Sequence, residues 1–185
     1  MPLDVNYSFL ADLEGGCVED GYVPAHKKSK SGVTISVGFD LGARNKNDLT
    51  RIGITGDLLT RLTPYLGLTG KKATDLLEKS PLNISTKECV SIEKAIQANF
   101  TAQVSTLYNG AISSNSTKFE DLDAKYQTVI LSVAYQYGAG LASRAPKFWK
   151  AVTSQNWAET VKVLRDFGDA YKTRRNREAD YLEGK

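Results

Sequence analysis

The apolar positions first recur with a helical period. Asp4 or Asn6 stands where an N-cap belongs, Phe9, Leu10 and Leu13 share one helical face, and Gly15-Gly16 supplies the stop. Glu14 then occupies the last turn, where a negative charge opposes the helix macrodipole and needs an explanation. The period next shifts to two. Val33, Ile35, Val37 and Phe39 alternate with small or polar residues, which predicts one strand over residues 33–40. Its antiparallel partner would be Cys17 to Val23, with the Lys-rich segment between them as a long hairpin connection.

From there the pattern stays helical. Leu58, Leu59, Leu62 and Leu66 form one stripe, and Thr69 opens a short helix toward Leu77. Ser85-Thr86-Lys87-Glu88 is a capping box, followed at helical spacing by Cys89, Ile92, Ile96, Phe100, Val104 and Leu107. Leu122, Tyr126, Val129, Ile130, Val133 and Tyr137 predict a central buried helix that halts at Gly138. Pro146 suits the first turn of the next helix, Asn156 with Glu159 caps another, and a last helix would run from Arg174 to Leu182. The expected fold class is α+β within one domain, residues 1–185. A small β-hairpin lobe would span about 15–80, a connecting helix about 85–108 and a larger helical lobe about 118–185, with residues 1–14 packing near the cleft.

Composition narrows the function classes. Hydrophobic residues make up 41% and charged residues 24%, as in ordinary folded enzymes and binding domains. The net charge of +3 is too mild for a nucleic-acid binder unless the basic residues gather on one face. No stretch is long and apolar enough to span a bilayer. Met1-Pro2-Leu3-Asp4 lacks the basic region and apolar run of a signal peptide, so the protein is expected to be made in the cytoplasm and delivered or released by other means. Two cysteines, Cys17 and Cys89, exclude a disulfide framework and permit at most one bridge. Structural thiols are the expectation, since with His26 they have no zinc-ligand spacing and no metal site is expected.

The chemistry left open is that of carboxylates. The sole histidine, His26, lies in a basic loop, which argues against a serine triad or cysteine–histidine pair, and no phosphate-binding glycine motif occurs. Glycoside hydrolysis needs one carboxyl kept protonated for the leaving oxygen and a second, ionised one for water or the cation. Glu14 at a helix C-terminus facing a hairpin is such a candidate acid, because the dipole and partial burial both favour its neutral form.

Glu14-Gly15-Gly16, Gly21-Tyr22-Val23-Pro24 and the run Ser31-Gly32-Val33-Thr34-Ile35-Ser36-Val37-Gly38-Phe39-Asp40-Leu41-Gly42 resemble the active-site segment of pesticin and its relatives, the bacterial-toxin branch of the phage lysozymes. Tyr135-Gln136-Tyr137-Gly138, then Phe148, Trp157, Ala158 and Leu164, and finally Arg175-Asn176-Arg177-Glu178 follow the order seen in phage lysozymes. The resemblance covers most of the chain and is weakest between Asn45 and Lys118. It implies a lysozyme-like fold and a catalytic set of Glu14, Thr34 and Asp40, with Tyr22, Gln136 and Arg177 on the substrate side and Arg177 paired with Glu14.

The chain also departs from the phage enzymes, whose second carboxylate precedes the threonine. Here that stretch offers only Glu19 and Asp20, while the toxin branch's aspartate follows the threonine, so Asp40 is preferred over Asp20 as base. Ser36 replaces a small glycine common in the family's strand.

The resemblance further implies hydrolysis of the β-1,4 bond between N-acetylmuramic acid and N-acetylglucosamine, without a cofactor. Inversion is expected if Glu14 and Asp40 lie roughly 6.5–9.5 Å apart. The partners would be peptidoglycan glycan strands and an immunity protein, the protein a monomer, and the place of action the periplasm or cell wall. Delivery as a toxin domain, a secretion-system effector or a released endolysin stays open. The alternatives are a catalytically silent glycan-binding module with the same fold and a glycosidase acting on chitin-like polymers.

Overall fold

A computed structural model describes residues 4–14, 17–24 and 31–185, with only the backbone of Ala11, Glu14 and Ala139. Two compact units emerge, one of Glu14–Asn99 and one of Met1–Leu13 with Phe100–Lys185.

The Glu14–Asn99 unit carries a three-stranded antiparallel sheet in the order β1 (Val18–Tyr22), β2 (Thr34–Ser36) and β3 (Phe39–Asp40). The partner expected for the alternating run is therefore found, but the run itself is a hairpin. Its chain reverses at Val37-Gly38, with Gly38 at φ 84° and Ser36 at φ 54°, both in the left-handed region. Ile35 pairs with Phe39 and Thr34 with Asp40, so paired residues are separated by an even number of positions. Alternation survives such a reversal unchanged, which is why the pattern read as one strand.

A short 3-10 turn at Leu41–Ala43 follows, then α2 (Lys46–Arg51), α3 (Gly56–Leu62) and α4 (Gly70–Lys79). Thr69 is the N-cap residue of α4 as expected. The unexpected α2 begins in a capping box, the Asn45 side chain accepting from the Asn47 and Asp48 N–H groups and Asp48 accepting from Asn45 N at 2.9 Å. Leu66 does not extend the leucine stripe, because a 3-10 turn at Thr63–Tyr65 containing Pro64 ends the helix first. Val33, Ile35, Leu41, Leu49, Leu62, Ile84 and Ile92 are buried together in this unit's core.

Cys17 and Cys89 are joined in a disulfide, the one bridge that two cysteines permit. Their Cα atoms lie 6.3 Å apart because the start of β1 packs on the first turn of α5 (Thr86–Asn109). That helix begins in the predicted box, Ser85 N donating to Glu88 Oε2 at 2.9 Å and Glu88 N to Ser85 Oγ at 3.3 Å. The boundary between the units falls inside it, after Asn99, so α5 is divided between them.

The other unit has helices and no strand among its described residues. It contains α1 (Tyr7–Glu14, as far as Leu13), the end of α5, α6 (Ala124–Tyr137), α7 (Leu141–Arg144), α8 (Pro146–Thr153), α9 (Trp157–Arg165) and α10 (Lys172–Glu183). Asn6 caps α1 by accepting from Phe9 N at 3.0 Å, and Asn156 caps α9 by accepting from Glu159 N at 3.0 Å. Residues Gln127–Ala134 of α6 are all buried, and Leu10, Val104, Phe148, Leu164 and Leu182 pack around the apolar ones. This is the central helix read from the sequence, and it ends at Gly138 with φ 59°.

Candidate active site

The sheet brings three sequence-predicted residues into one row. Tyr22 is the register partner of Thr34, and Thr34 that of Asp40, so their side chains share a face of the sheet. Burial grades along the row, from Tyr22 at 39% exposed to Thr34 at 2%, with Asp40 partly buried.

Backbone groups fix the Asp40 carboxylate. Its Oδ1 accepts from Gly42 N at 2.8 Å and from Gly32 N at 3.0 Å, capping the 3-10 turn that follows. Both donors are glycines because the two backbones touch there: a Cβ on Gly32 would lie 2.4 Å from Gly42 Cα and 2.4 Å from Leu68 O. Among the described residues Oδ2 has no hydrogen-bond partner, so the carboxylate keeps an oxygen for chemistry. The Thr34 hydroxyl donates to Gly32 O at 3.3 Å. Its single proton is thereby used, and toward a water it can act only as acceptor.

Asp20 is placed otherwise. It is exposed on β1, and its Oδ1 accepts from Asn83 Nδ2 at 2.8 Å. Neighbouring Glu19 accepts from Thr86 Oγ1 at 2.6 Å. Ser36 adopts a backbone conformation that suits glycine and donates its hydroxyl to Cys89 O at 3.2 Å. That bond ties the hairpin to α5.

Glu14 ends α1, as its position before Gly15-Gly16 implied. Its carboxylate, its distance to Asp40 and its pairing with Arg177 lie outside the described residues, as do Gly15, Gly16 and His26.

In the helical unit, Gln136 and Arg177 fall in different surroundings. Arg177 is exposed, with its guanidinium 5.8 Å from the Phe9 ring centre, on the rim of a pocket of ≈ 330 Å³ lined also by Asp12, Leu13, Tyr171 and Arg174. Arg174 also reaches the end of α1, its Nη1 donating to Leu13 O at 3.5 Å and its Nη2 to Ser132 O at 2.9 Å.

Gln136 belongs to a buried ionic network that the sequence reading missed. Arg175 is fully buried and donates in three directions: Nε to Asp169 Oδ2 at 2.9 Å, Nη1 to Glu178 Oε2 at 2.6 Å, and Nη2 to Gln136 Oε1. Its guanidinium also lies over Phe167, 4.4 Å from the ring centre. Glu178, equally buried, further accepts from Arg174 Nε at 3.2 Å and from the Ser132 hydroxyl. Asp169 also accepts from Tyr137 OH and from Tyr171 N, each at 3.0 Å.

The titration shifts follow from these contacts. Burial pushes the Asp169 carboxyl up, but the Tyr171 N–H and the Arg175 guanidinium outweigh it and hold the group below its ordinary value. Burial likewise works against the Arg175 charge, and Glu178 and Asp169 together raise it regardless. Tyr137 is raised, first by burial and then by its bond to Asp169. The available signal was the spacing Arg174-Arg175-x-x-Glu178, which sets two guanidinium groups over one carboxylate on a single helix face.

Among the described residues no group of three or more His, Cys, Asp or Glu side chains could hold a metal ion, and no helix is long and apolar enough to cross a membrane. Compared with known families, residues 4–158 match the one described as "Pesticin: Bacterial toxin homologue of phage lysozyme, C-term". The matched span includes Glu14, the sheet row and Gln136, and ends before α10. No curated protein matches the chain.

Proposed function

Because the chain belongs to the pesticin family, the bacterial-toxin homologues of phage lysozyme, with an α+β lysozyme-like fold, we propose that it is a muramidase that cleaves the β-1,4 bond between N-acetylmuramic acid and N-acetylglucosamine. Its substrate would be the glycan strands of peptidoglycan, met in the periplasm or cell wall.

The observation that carries this reading is the Thr34–Asp40 pair, which offers two acceptors on one face of the sheet. A nucleophilic water has two hydrogens to place. Asp40 Oδ2 takes the one transferred as general base, while the Thr34 oxygen accepts the other and aims the water's lone pair at the anomeric carbon. Glu14 protonates the leaving glycosidic oxygen. The bond from anomeric carbon to leaving oxygen breaks as the water oxygen bonds to that carbon, and the configuration inverts. Exposed Tyr22 at the open end of the row supplies a sugar contact, as do Gln136 and Arg177.

Turbidity clearing of purified cell walls tests this. Glu14→Gln should lower the rate by about 10²–10⁴-fold, the loss typical of a missing general acid. Asp40→Asn is the sharper variant: an amide oxygen still accepts from Gly32 and Gly42, so the cap survives while the base is gone. It should abolish clearing with little change in melting temperature, whereas Asp20→Asn, which alters only an exposed contact to Asn83, should leave most of it. Wild-type rates in Glu14→Gln or Asp40→Asn would overturn these catalytic assignments, whereas walls left intact by the wild-type chain itself would favour the silent glycan-binding module.

A further inference from the structure

We propose that the Cys17–Cys89 bond is a redox switch for the candidate site: the disulfide holds the Thr34 end of the sheet row in place, and the dithiol releases it. The inference rests on the muramidase reading and concerns the regulation of that same site.

All the parts lie in the Glu14–Asn99 unit. The hairpin that carries Thr34 and Asp40 has strands of three and two residues, too short to hold their shape alone. Its two ends are anchored differently. At the Asp40 end the ties run to backbone: Asp40 to Gly32 N and Gly42 N, a bridge between Gly32 and Thr69, and Gly67 N to Leu41 O at 3.2 Å. At the other end Ser36 sits at φ 54°, a conformation that opposes folding for any residue but glycine, and its hydroxyl is held by Cys89 O. Cys17 Sγ lies 3.7 Å from the same hydroxyl oxygen. Strand β1 cannot replace this anchor. It pairs with β2 at Val18–Ser36 and Tyr22–Thr34, four steps along one strand against two along the other, so the ladder between them is interrupted. The disulfide therefore fixes where β1 starts against the hairpin. It also restrains Glu14, since three residues of chain to Cys17 span at most about 11 Å. Opening the bond moves the acceptor that aims the water while Asp40 keeps its cap.

The two sulfurs are placed for exchange. Cys17 is partly exposed, whereas Cys89 is fully buried in the first turn of α5. An incoming thiolate thus attacks the Cys17 sulfur and forms a mixed disulfide. Cys89 leaves as a thiolate, a charge that the N-terminal end of a helix favours. A second thiolate then takes the first reductant's sulfur and frees Cys17. Closure runs the other way: the two thiols give two protons and two electrons to a small-molecule or protein disulfide, which becomes two thiols. The site is latent where thiols are kept reduced and competent where they are oxidised.

Clearing of purified cell walls by the wild-type chain, in dithiothreitol or in oxidised glutathione, tests this at a temperature where both forms give the same far-UV circular dichroism. Reduction should lower kcat by about 10²-fold, the cost of misplacing a reacting group by about 1 Å, with KM within about twofold. Oxidised glutathione should restore the rate. Cys17→Ser with Cys89→Ser should stay at the reduced rate in either reagent. Equal wild-type rates in the two reagents, or a double variant as fast as the oxidised wild type, overturn the switch. A reduced chain that is folded at no temperature overturns it too, because the bond would then be structural alone. Walls left intact by the oxidised wild-type chain would sink the muramidase reading instead, and amide exchange then decides the inference. On reduction, exchange that quickens more in residues 34–36 than at Gly42 upholds it, and an equal change sinks it.

Discussion

In the Glu14–Asn99 unit, Asp40 is held by the N–H groups of Gly32 and Gly42, whereas in the helical unit Gln136 is held by a guanidinium that two carboxylates hold in turn. The first arrangement uses main chain, which cannot be mutated away but demands glycines where two backbones meet. The second uses side chains brought together from α6, α10 and the segment before α10. It is therefore sensitive to single substitutions and to pH. The first unit is stapled by the Cys17–Cys89 bond and the second has charges in its interior, so the two should fail under different treatments.

Opening the staple is the strongest way to separate them. The bond joins residues 72 apart, and closing a loop of that length lowers unfolded-chain entropy by an amount worth about 4 kcal/mol in the chain-entropy description. Reduction, or Cys17→Ser with Cys89→Ser, should cost up to that much. Amide hydrogen exchange should show the loss in residues 18–99 ahead of α6 and α10. Uniform loss across both units would mean that they unfold as one, and the contrast drawn here would fall.

Arg175→Met attacks the other side. It leaves buried Glu178 and Asp169 without their shared cation, a fault of about 3–5 kcal/mol, and the lower end is expected because Arg174 still pairs with Glu178. Exchange in α6 and α10 should rise first. If the melting temperature fell by no more than a surface substitution causes, the network would not be what stabilises that unit.

The mildest test uses acid. Asp169 titrates below its ordinary 3.8 in the folded protein, so its contribution is complete above the unfolded value and disappears as pH falls through the lower folded one. Wild type should exceed Asp169→Asn by on the order of 1 kcal/mol near neutrality. The gap should begin to narrow below about pH 4, where the unfolded carboxyl takes its proton first, and close once the folded carboxyl has taken its own. A gap independent of pH would point to packing rather than to the charge.

The same contrast explains what could be read from the chain. Local devices were legible: the Ser85–Glu88 box, the Asn156 cap, Pro146 in a first turn and the α6 stripe all stand where spacing put them. Asn45-Lys46-Asn47-Asp48 carries the same kind of signal and was passed over because no apolar stripe follows it. The hairpin within residues 33–40 was hidden by parity, since an even-numbered reversal repeats the strand pattern. Of the site, Tyr22, Thr34 and Asp40 came through the resemblance to the toxin branch, and their row across paired strands was hidden by the same reversal. The Gln136–Arg175 bond spans 39 residues and follows from how α10 rotates against α6, which periodicity does not specify. Cysteine pairing was illegible for the same reason, as two thiols have no signature of proximity.

The Cys17–Cys89 bond also changes the topology of the molecule: the backbone between the two cysteines becomes a closed covalent ring that contains the sheet and α2 to α4. A single cut inside it opens the ring without releasing a fragment, so nicked protein keeps its mass until a reductant is added. A ring also cannot be drawn through a narrow pore as one extended strand. Passage through such a pore requires the thiols to be free on entry, and the staple then closes on the far side.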